Sequence, residues 1–403
     1  MFQALEGLKV ADFSWAMAAP LLSEFLAQHG AAVVRVESVG RPCIVRSAAP
    51  YKDGVAGVNR SGYFNYFNAD KYGMALDLKH PQAVEVIKKL VKWSDVVIES
   101  FTPGVMESLG LGYEQLREVK PDVILFSTSI HGETGAYSSH PGAGVQIVGW
   151  AGFTNITGYT DRMPTQPFGA YTDVLAPRLG AALLLASLDR LRRTGKGEWL
   201  DLSQMEASLH FLSPYILDYV VNEREASRTG NRHAYAAPHG VYRCRGSDRW
   251  CAIAVFNNYE WQNICQVLGD TSWSKDKRFV TLLGRKKNED ELDRLIEAWT
   301  INLEAKEAMS RIQATGVAAG VVQNARNICE DPALRMRKHH YYLEHSEMGN
   351  YPHSGALFRL SKTPGKLEKA SPRLGEHTEF VCTKLLSMTD EEFVALLAAG
   401  VFT

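Results

Sequence analysis

Between Leu8 and Ser127, short apolar runs alternate with stretches of helical spacing, and that rhythm leaves few folds open to the chain. Leu8 to Phe13 fits a buried strand, Ala18 to His29 has helical spacing at Leu21, Leu22, Phe25 and Leu26, and Gly30 ends it. Ala32 to Val36 (AVVRV) is a second buried strand, closing with Glu37. Strands apolar on both faces and joined through helices build a parallel sheet. The alternation continues with a short strand at Ala75 to Leu78, a helix at Pro81 to Val91 and a strand at Asp95 to Glu99. A helix at Tyr113 to Val119 and a strand at Asp122 to Ser127 follow. Open sheets of this kind bind ligands beyond the carboxyl ends of their strands, so the loops after Phe13, Glu37, Glu99 and Ser127 are the expected site walls. The first of these turns, Ser14 to Ala19, contains no glycine. The G-x-G-x-x-G dinucleotide fingerprint is therefore missing, which argues against NAD.

A second constraint lies in the stretch from Pro164 to Leu202. A Pro-rich approach ends at Asp173, and an apolar run from Val174 to Leu188 leads to Arg190, Arg192 and Arg193. Arginines at a helix C-terminus favour its dipole, and Gly195 or Gly197 stops the helix. Asp173 has two readings. It is a first-turn or N-cap carboxylate, the usual job of Asp there, or it is a carboxylate nucleophile at the positive end of a helix. Pro177 inside the helix would cost about 3 kcal/mol, so the regular helix is expected to begin near Ala176 or Pro177, with Asp173 in the turn ahead of it.

With 403 residues the chain exceeds what one core usually serves, and two domains are expected. Residues 1–221 read as the first part of a large α/β domain, 222–330 as a small α+β domain and 331–403 as a return to the large one. The small domain carries strands at Val241 to Cys244 and Trp250 to Val255, then helices at Asn258 to Leu268, Glu289 to Thr300 and Leu303 to Thr315. Ser203 to Tyr219 reads as one helix. Lys plus Arg total 44 against 45 acidic residues, a balance that argues against a dedicated nucleic-acid binder. The six cysteines have no CxxC spacing and no metal-site pattern, so they read as buried thiols of a reducing compartment, and no metal is expected. The N-terminus lacks a basic n-region and a long apolar h-region, and Leu179 to Leu188 is too short to span a membrane. A soluble, cytoplasmic protein is expected.

Several of these landmarks together resemble class III CoA-transferases, the group that includes formyl-CoA:oxalate, carnitine and benzylsuccinate CoA-transferases. The resemblance rests on LEGLKVADFSWAMAAP, HGAAVVRVES, ADKYGMALDLKHP, DVVIESFTPGVMESLGLGYEQL and RRTGKGEWLDLSQMEA. GVAAGVVQN, DPALRMR and PRLGEHT continue it in the second half. It implies a large Rossmann-like parallel-sheet domain made from both chain ends, a smaller inserted α+β domain and an interlocked dimer. The partner is an identical chain or a paralogous subunit. It also implies acyl-CoA and a carboxylic acid as substrates, with no permanently bound cofactor. The family's catalytic aspartate falls at Asp173, which would pass through an anhydride and an aspartyl-CoA thioester.

The resemblance extends to single residues. Ala16, Met17 and Ala18 match the loop facing the pantetheine and the reacting carbonyl; Leu76 and Lys79 match adenine-side contacts, and Ser100 and Phe101 match contacts near the nucleotide. Lys79 is equally readable as a solvated lysine at a helix start. Met17 stands where formyl-CoA transferases have glutamine, which implies a more apolar acyl pocket. Ser108 replaces an expected basic residue, leaving Arg41, Arg46 or Lys71 for the phosphates. Racemases of the superfamily carry a histidine where Ala143 stands, and His140 is three residues away. Gly142, Ala143 and Gly144 open space for a substrate, with Trp15 as a further wall. The flanking aromatics Tyr137, Trp150, Phe153, Phe168 and Tyr171 read mostly as core. Arg178 and Arg46 are candidates to pair a second carboxylate, against the alternative of ordinary surface arginines. The block from Tyr171 to Gly197 looks most like benzylsuccinate CoA-transferases of anaerobic toluene degradation, in which succinyl-CoA is the donor. An α-methylacyl-CoA racemase and a non-catalytic CoA-binding subunit are the alternatives.

Overall fold

The computed structural model describes residues 2–269 and 272–403. The alternating runs become β1 (Lys9–Asp12), α1 (Ala18–Gln28), β2 (Ala32–Glu37), β3 (Tyr72–Ala75), α2 (Ala83–Trp93), β4 (Val96–Glu99), α3 (Tyr113–Val119) and β5 (Ile124–Ser129). After α4 (Gly144–Trp150) and the long α5 (Tyr171–Thr194), β6 (Trp199–Ser203) completes a parallel sheet of order β3-β2-β1-β4-β5-β6. The strand order reverses between β1 and β4, so a crevice opens beyond their carboxyl ends.

Register sorts the apolar residues onto two faces. Val10 lies between Val33 and Val96, and Val96 faces Ile124. This row packs under α1 through Leu22 and Leu26 and under α5 through Ala176, Leu184 and Leu188. One residue along, Ala11, Val34, Val97 and Leu125 face the other way, against Val86, Ile87 and Leu90 of α2. Val381, Cys382, Val401 and Phe402 from the end of the chain close that second core. Strands buried on both faces explain why the runs are continuously apolar rather than alternating.

Three elements depart from the sequence reading. The third strand is Tyr72–Ala75 rather than Ala75 to Leu78; Leu76 still donates to Glu37 O at 2.8 Å, but Asp77 turns to Val401 O. α5 begins at Tyr171, well before Pro177, so Asp173 sits in its first turn. The missing N–H of Pro177 leaves the carbonyl of Asp173, four residues earlier, without its helical donor. The expected helix from Ser203 to Tyr219 is broken into Gln204–Leu209, a 3-10 turn at His210–Leu212 and α6 (Ser213–Asn222), because Pro214 cannot donate into the preceding turn. No residue of α6 is buried, although it carries Tyr215, Ile216, Leu217, Tyr219, Val220 and Val221.

The chain divides into two compact units: residues 1–153, 166–225 and 332–403, and residues 154–165 and 226–331. The segment 154–165, assigned to the large domain from sequence, joins the second unit through Gly230 N–H to Gly158 O at 2.7 Å and Arg228 to Asn155 O at 3.1 Å. The second unit holds β7 (His239–Arg243), β8 (Trp250–Ala254), α7 (Asn258–Leu268), α8 (Glu289–Thr300), α9 (Ala305–Gln313) and β9 (Ala318–Val321). Its sheet is antiparallel, with β8 central, and packs on the three helices around Trp261, Ile264, Ile296 and Ile312. Back in the first unit, β10 (His340–His345) and β11 (Gly349–Ser354) form a hairpin. Among the described residues, no helix is long and apolar enough to cross a membrane.

Candidate active site

The loop after β1 is tied down one backbone group at a time. Phe13 N–H donates to Ile98 O at 2.8 Å, Ser14 N–H to Asp12 Oδ1 at 3.0 Å, Trp15 N–H to Ser100 Oγ at 2.8 Å and Ala16 N–H to Cys43 Sγ at 3.3 Å. Ser100 Oγ donates back to Trp15 O, joining the loops after β1 and β4 across the switch point. Ala16 has φ of +58°, a left-handed conformation unusual for a residue with a Cβ. Met17 then precedes α1 without any side-chain cap, so the first N–H groups of the helix remain available to an acceptor such as a carbonyl oxygen.

Beyond this loop lies a cavity of about 640 Å³ whose walls include Trp15, Arg41, Leu76, Lys79, Ser100 and Phe101. Six of the residues singled out from sequence thus meet around one space, and Ser108 borders it as well. Arg41 lies over the Trp15 ring, 5.0 Å from its centroid. Neither Arg41 nor Lys79 has an ion-pair partner among the described residues, which leaves two cations facing a largely apolar hollow. Asp173 is not among its walls.

Two of the other basic candidates have different jobs. Arg46 is buried, with all five donors engaged: Nε and Nη2 on Glu37, Nη1 on Val58 O and Asn59, and Nη2 also on Pro372 O. No donor remains for a substrate carboxylate. Lys71 is equally buried and bonds Asp12, Pro20 O and Asn68. Arg178 stands five residues after Asp173, about 140° around the helix. It is half-buried; burial lowers its pKa, Glu24 and Tyr66 oppose this, and no hydrogen bond or ion pair engages it among the described residues. Sequence spacing alone cannot separate a buried arginine from an exposed one.

Asp173 lies in the first turn of α5, whose N-terminus stands at the carboxyl edge of the sheet because α5 runs back into the parallel strand β6. It is 9% exposed, and among the described residues its carboxylate has neither a hydrogen bond nor an ion pair. Burial alone pushes its pKa up to about 7. The loop ending at Gly144 is pressed against it. A Cβ at Gly144 would fall 2.6 Å from Asp173 Oδ2 and 2.6 Å from Ala170 Cβ, and Thr172 Oγ1 donates to Gly144 O at 3.4 Å. Gly142, Ala143 and Asp173, far apart in sequence, are therefore neighbours through Gly144. Upstream, His131, Tyr137, His140 and Trp150 form one aromatic cluster, with His131 4.5 Å from Trp150 and His140 stacked on it at 5.8 Å. Phe153 meets Tyr171 edge to face, whereas Phe168 is 91% exposed. Tyr137 and Trp150 are surface rings rather than core.

Asp12, on which Ser14 and Lys71 converge, was not singled out from sequence; a lone Asp at a strand end carries no spacing signal. The site offers an unpaired carboxylate, uncapped helix N–H groups and a cation-lined cavity at one edge of a sheet. Comparisons with known proteins agree in kind. The chain is 29% identical over 397 residues to a succinyl-CoA–D-citramalate CoA-transferase of Chloroflexus aurantiacus, covering 98% of each chain. It is 28% identical over 398 residues to the human succinyl-CoA:glutarate CoA-transferase, covering 98% of this chain and 89% of the relative. A CAIB/BAIF family protein from Brucella suis superposes with a TM-score of 0.88 at 27% identity, over 96% of this chain and all of that one. Residues 5–378 match the model of CoA-transferase family III, and the chain belongs to that family.

Proposed function

We propose that this CoA-transferase moves CoA from succinyl-CoA to a dicarboxylic acid with a bulky apolar body, such as benzylsuccinate, through a covalent adduct on Asp173. The observation that carries the reading is the buried, unpartnered carboxylate of Asp173 beside a glycine that leaves it open. Two relatives are named for succinyl-CoA as donor, and their acceptors, citramalate and glutarate, are dicarboxylic acids. An apolar body is favoured by Met17, which packs with Cys43, Val45 and Phe64, and by the rings of Tyr137 and Trp150 near the glycine loop. Arg46 is engaged elsewhere and cannot clamp the second carboxylate; Arg178, half-buried and with no hydrogen bond or ion pair among the described residues, is the remaining candidate for it.

In this scheme Asp173 attacks the thioester carbonyl carbon of succinyl-CoA; the C–S bond breaks and CoA leaves as thiolate, giving a mixed anhydride. The thiolate attacks the aspartyl carbonyl, succinate departs and an aspartyl-CoA thioester remains. The acceptor carboxylate displaces CoA as a second anhydride forms. The thiolate then attacks the acceptor's acyl carbon, releasing the new acyl-CoA and free Asp173. The N–H groups of Met17 and Ala18 receive the oxyanions, while Trp15, Leu76, Ser100 and Phe101 hold the body of CoA and Arg41 and Lys79 its phosphates. CoA thioesters are substrates here, and no resident cofactor enters a step.

We also assign the working form to a dimer, with an identical or a paralogous chain, because α6 presents an unburied apolar face. The six cysteines, five of them buried as the sequence reading expected and Cys329 exposed against it, favour a reducing compartment such as the cytoplasm. The covalent step is tested by incubating the protein with succinyl-CoA, reducing with borohydride and reading the Asp173 peptide by mass spectrometry. An alcohol at Asp173, absent from Asp173→Ala, is expected. An unmodified peptide after a donor panel that includes benzylsuccinyl-CoA would sink the covalent reading.

A further inference from the structure

Beneath the loop after β1 lies a closed cluster of charge. Asp12, the last residue of β1, is fully buried. Its Oδ1 accepts from Ser14 N–H at 3.0 Å and from Ser14 Oγ. Its Oδ2 accepts from Ser23 Oγ at 2.5 Å and Lys71 Nζ at 3.2 Å, with Arg35 Nη1 at 3.6 Å. Lys71 also donates to Pro20 O at 2.8 Å and Asn68 Oδ1 at 2.9 Å. Burial would raise the carboxyl pKa of Asp12, but Lys71, Arg35, Ser14 and Ser23 outweigh it, so Asp12 stays ionised.

Burying ions in this way is a poor route to stability, because a well-packed apolar cluster does as well or better. What the charges provide is direction. Two of the contacts on Asp12 come from Ser14, where the turn begins. Two residues on, Ala16 is held at φ +58°, and a strained backbone of this kind persists only where its surroundings over-determine it. The residues that follow, Met17 and Ala18, open α1.

We infer that Asp12 is a positioning residue for CoA transfer: through Ser14 it holds the turn from Trp15 to Ala18 so that the N–H groups opening α1 meet the reacting carbonyl oxygen. The inference rests on the functional reading above. Asp12 touches neither substrate nor Asp173; it acts by fixing the backbone that does the binding.

The test compares kcat, KM for succinyl-CoA and the thermal midpoint in the wild type, Ser14→Ala and Ala16→Gly. Ser14→Ala removes one of the two bonds to Asp12, and Ala16→Gly loosens the same turn without touching the charged cluster. A small misplacement of a binding group is enough to slow chemistry, so Ser14→Ala is expected to lose about tenfold or more in kcat. KM should change by less than kcat, because Trp15 is the one residue of this turn among the cavity walls and most of the others, Arg41, Leu76, Lys79, Ser100 and Phe101, lie outside it. Ala16→Gly is expected to lower kcat severalfold with no fall in the thermal midpoint, and it decides the matter should Ser14→Ala fail to fold. Wild-type kcat in both variants would overturn the inference alone. So would a Ser14→Ala loss confined to KM or to the folded fraction. A wild type that transfers no CoA would overturn the functional reading and this inference with it.

Discussion

At Asp173, burial without a partner raises the carboxyl to about 7, and this has two consequences of opposite sign for activity and stability. As the proposed nucleophile Asp173 must be ionised, so kcat/KM should climb with pH to an apparent pKa near 7 and then level off, as a pH–rate profile would read. Folding is linked the other way. The folded state holds the proton more tightly than the unfolded chain, so the stabilisation is complete below the unfolded value of 3.8 and is lost as pH rises through about 7. Asp173→Asn, which stays neutral, should abolish transfer yet raise the thermal midpoint at pH 8 by a few degrees, the usual trade at a strained site. A midpoint at pH 8 equal to or below wild type would contradict the linkage. Gly144 belongs to the same argument: the carboxylate can be buried and still reachable only because no side chain projects at that point.

At the scale of elements, the hairpin β10–β11 is fastened to α1 by one buried histidine. His353 Nδ1 faces Ser354 O at 2.8 Å, and its Nε2 faces Tyr66 O and Glu24 Oε1, each at 2.8 Å. Only acceptors surround the ring, so the doubly protonated imidazolium is the form that satisfies both nitrogens. Burial pulls its pKa down, but Glu24 and the two carbonyls outweigh that and hold it above the ordinary value of 6.5. Its contribution to stability is therefore present below 6.5 and lost as pH rises through the raised folded value. His353→Gln should cost about 3 kcal/mol in denaturant unfolding at pH 6, since it takes the only charged partner from a buried Glu24 and leaves it the longer bond from Gln28 Nε2 at 3.3 Å among the described residues. The deficit should shrink as pH rises; a deficit independent of pH would exclude the charged pair. α5 illustrates the converse, that propensity yields to context. Pro177 should have delayed the helix, but packing of Ala176, Leu184 and Leu188 under the sheet carries it back to Tyr171 and takes Asp173 into its first turn.

For the whole molecule, the apolar face of α6 makes a prediction about assembly. Tyr219, Val220 and Val221 are more than half exposed, far more apolar surface than one ten-residue helix usually leaves to water. For a dimer of identical chains, analytical ultracentrifugation should find twice the chain mass for the wild type, and Val220→Glu with Val221→Glu should give monomer or aggregate; a monomeric wild type would contradict that form and point to the paralogous partner. The sequence by itself determined the parallel sheet, its strands to within a few residues, the candidate edge where ligands bind and Asp173 as the residue to watch. It could do so because two-sided burial writes continuous apolar runs, and because helix ends and strand ends are local signals. Only the tertiary structure decided which arginines are spent: Arg46 is held on Glu37, whereas Arg41 is left facing the cavity. It alone brought Gly144 to Asp173 and joined Ser14, Lys71 and Arg35 on Asp12. Those pairings cross up to 59 residues of chain, and burial and partnership are properties of the packed interior that no spacing rule encodes.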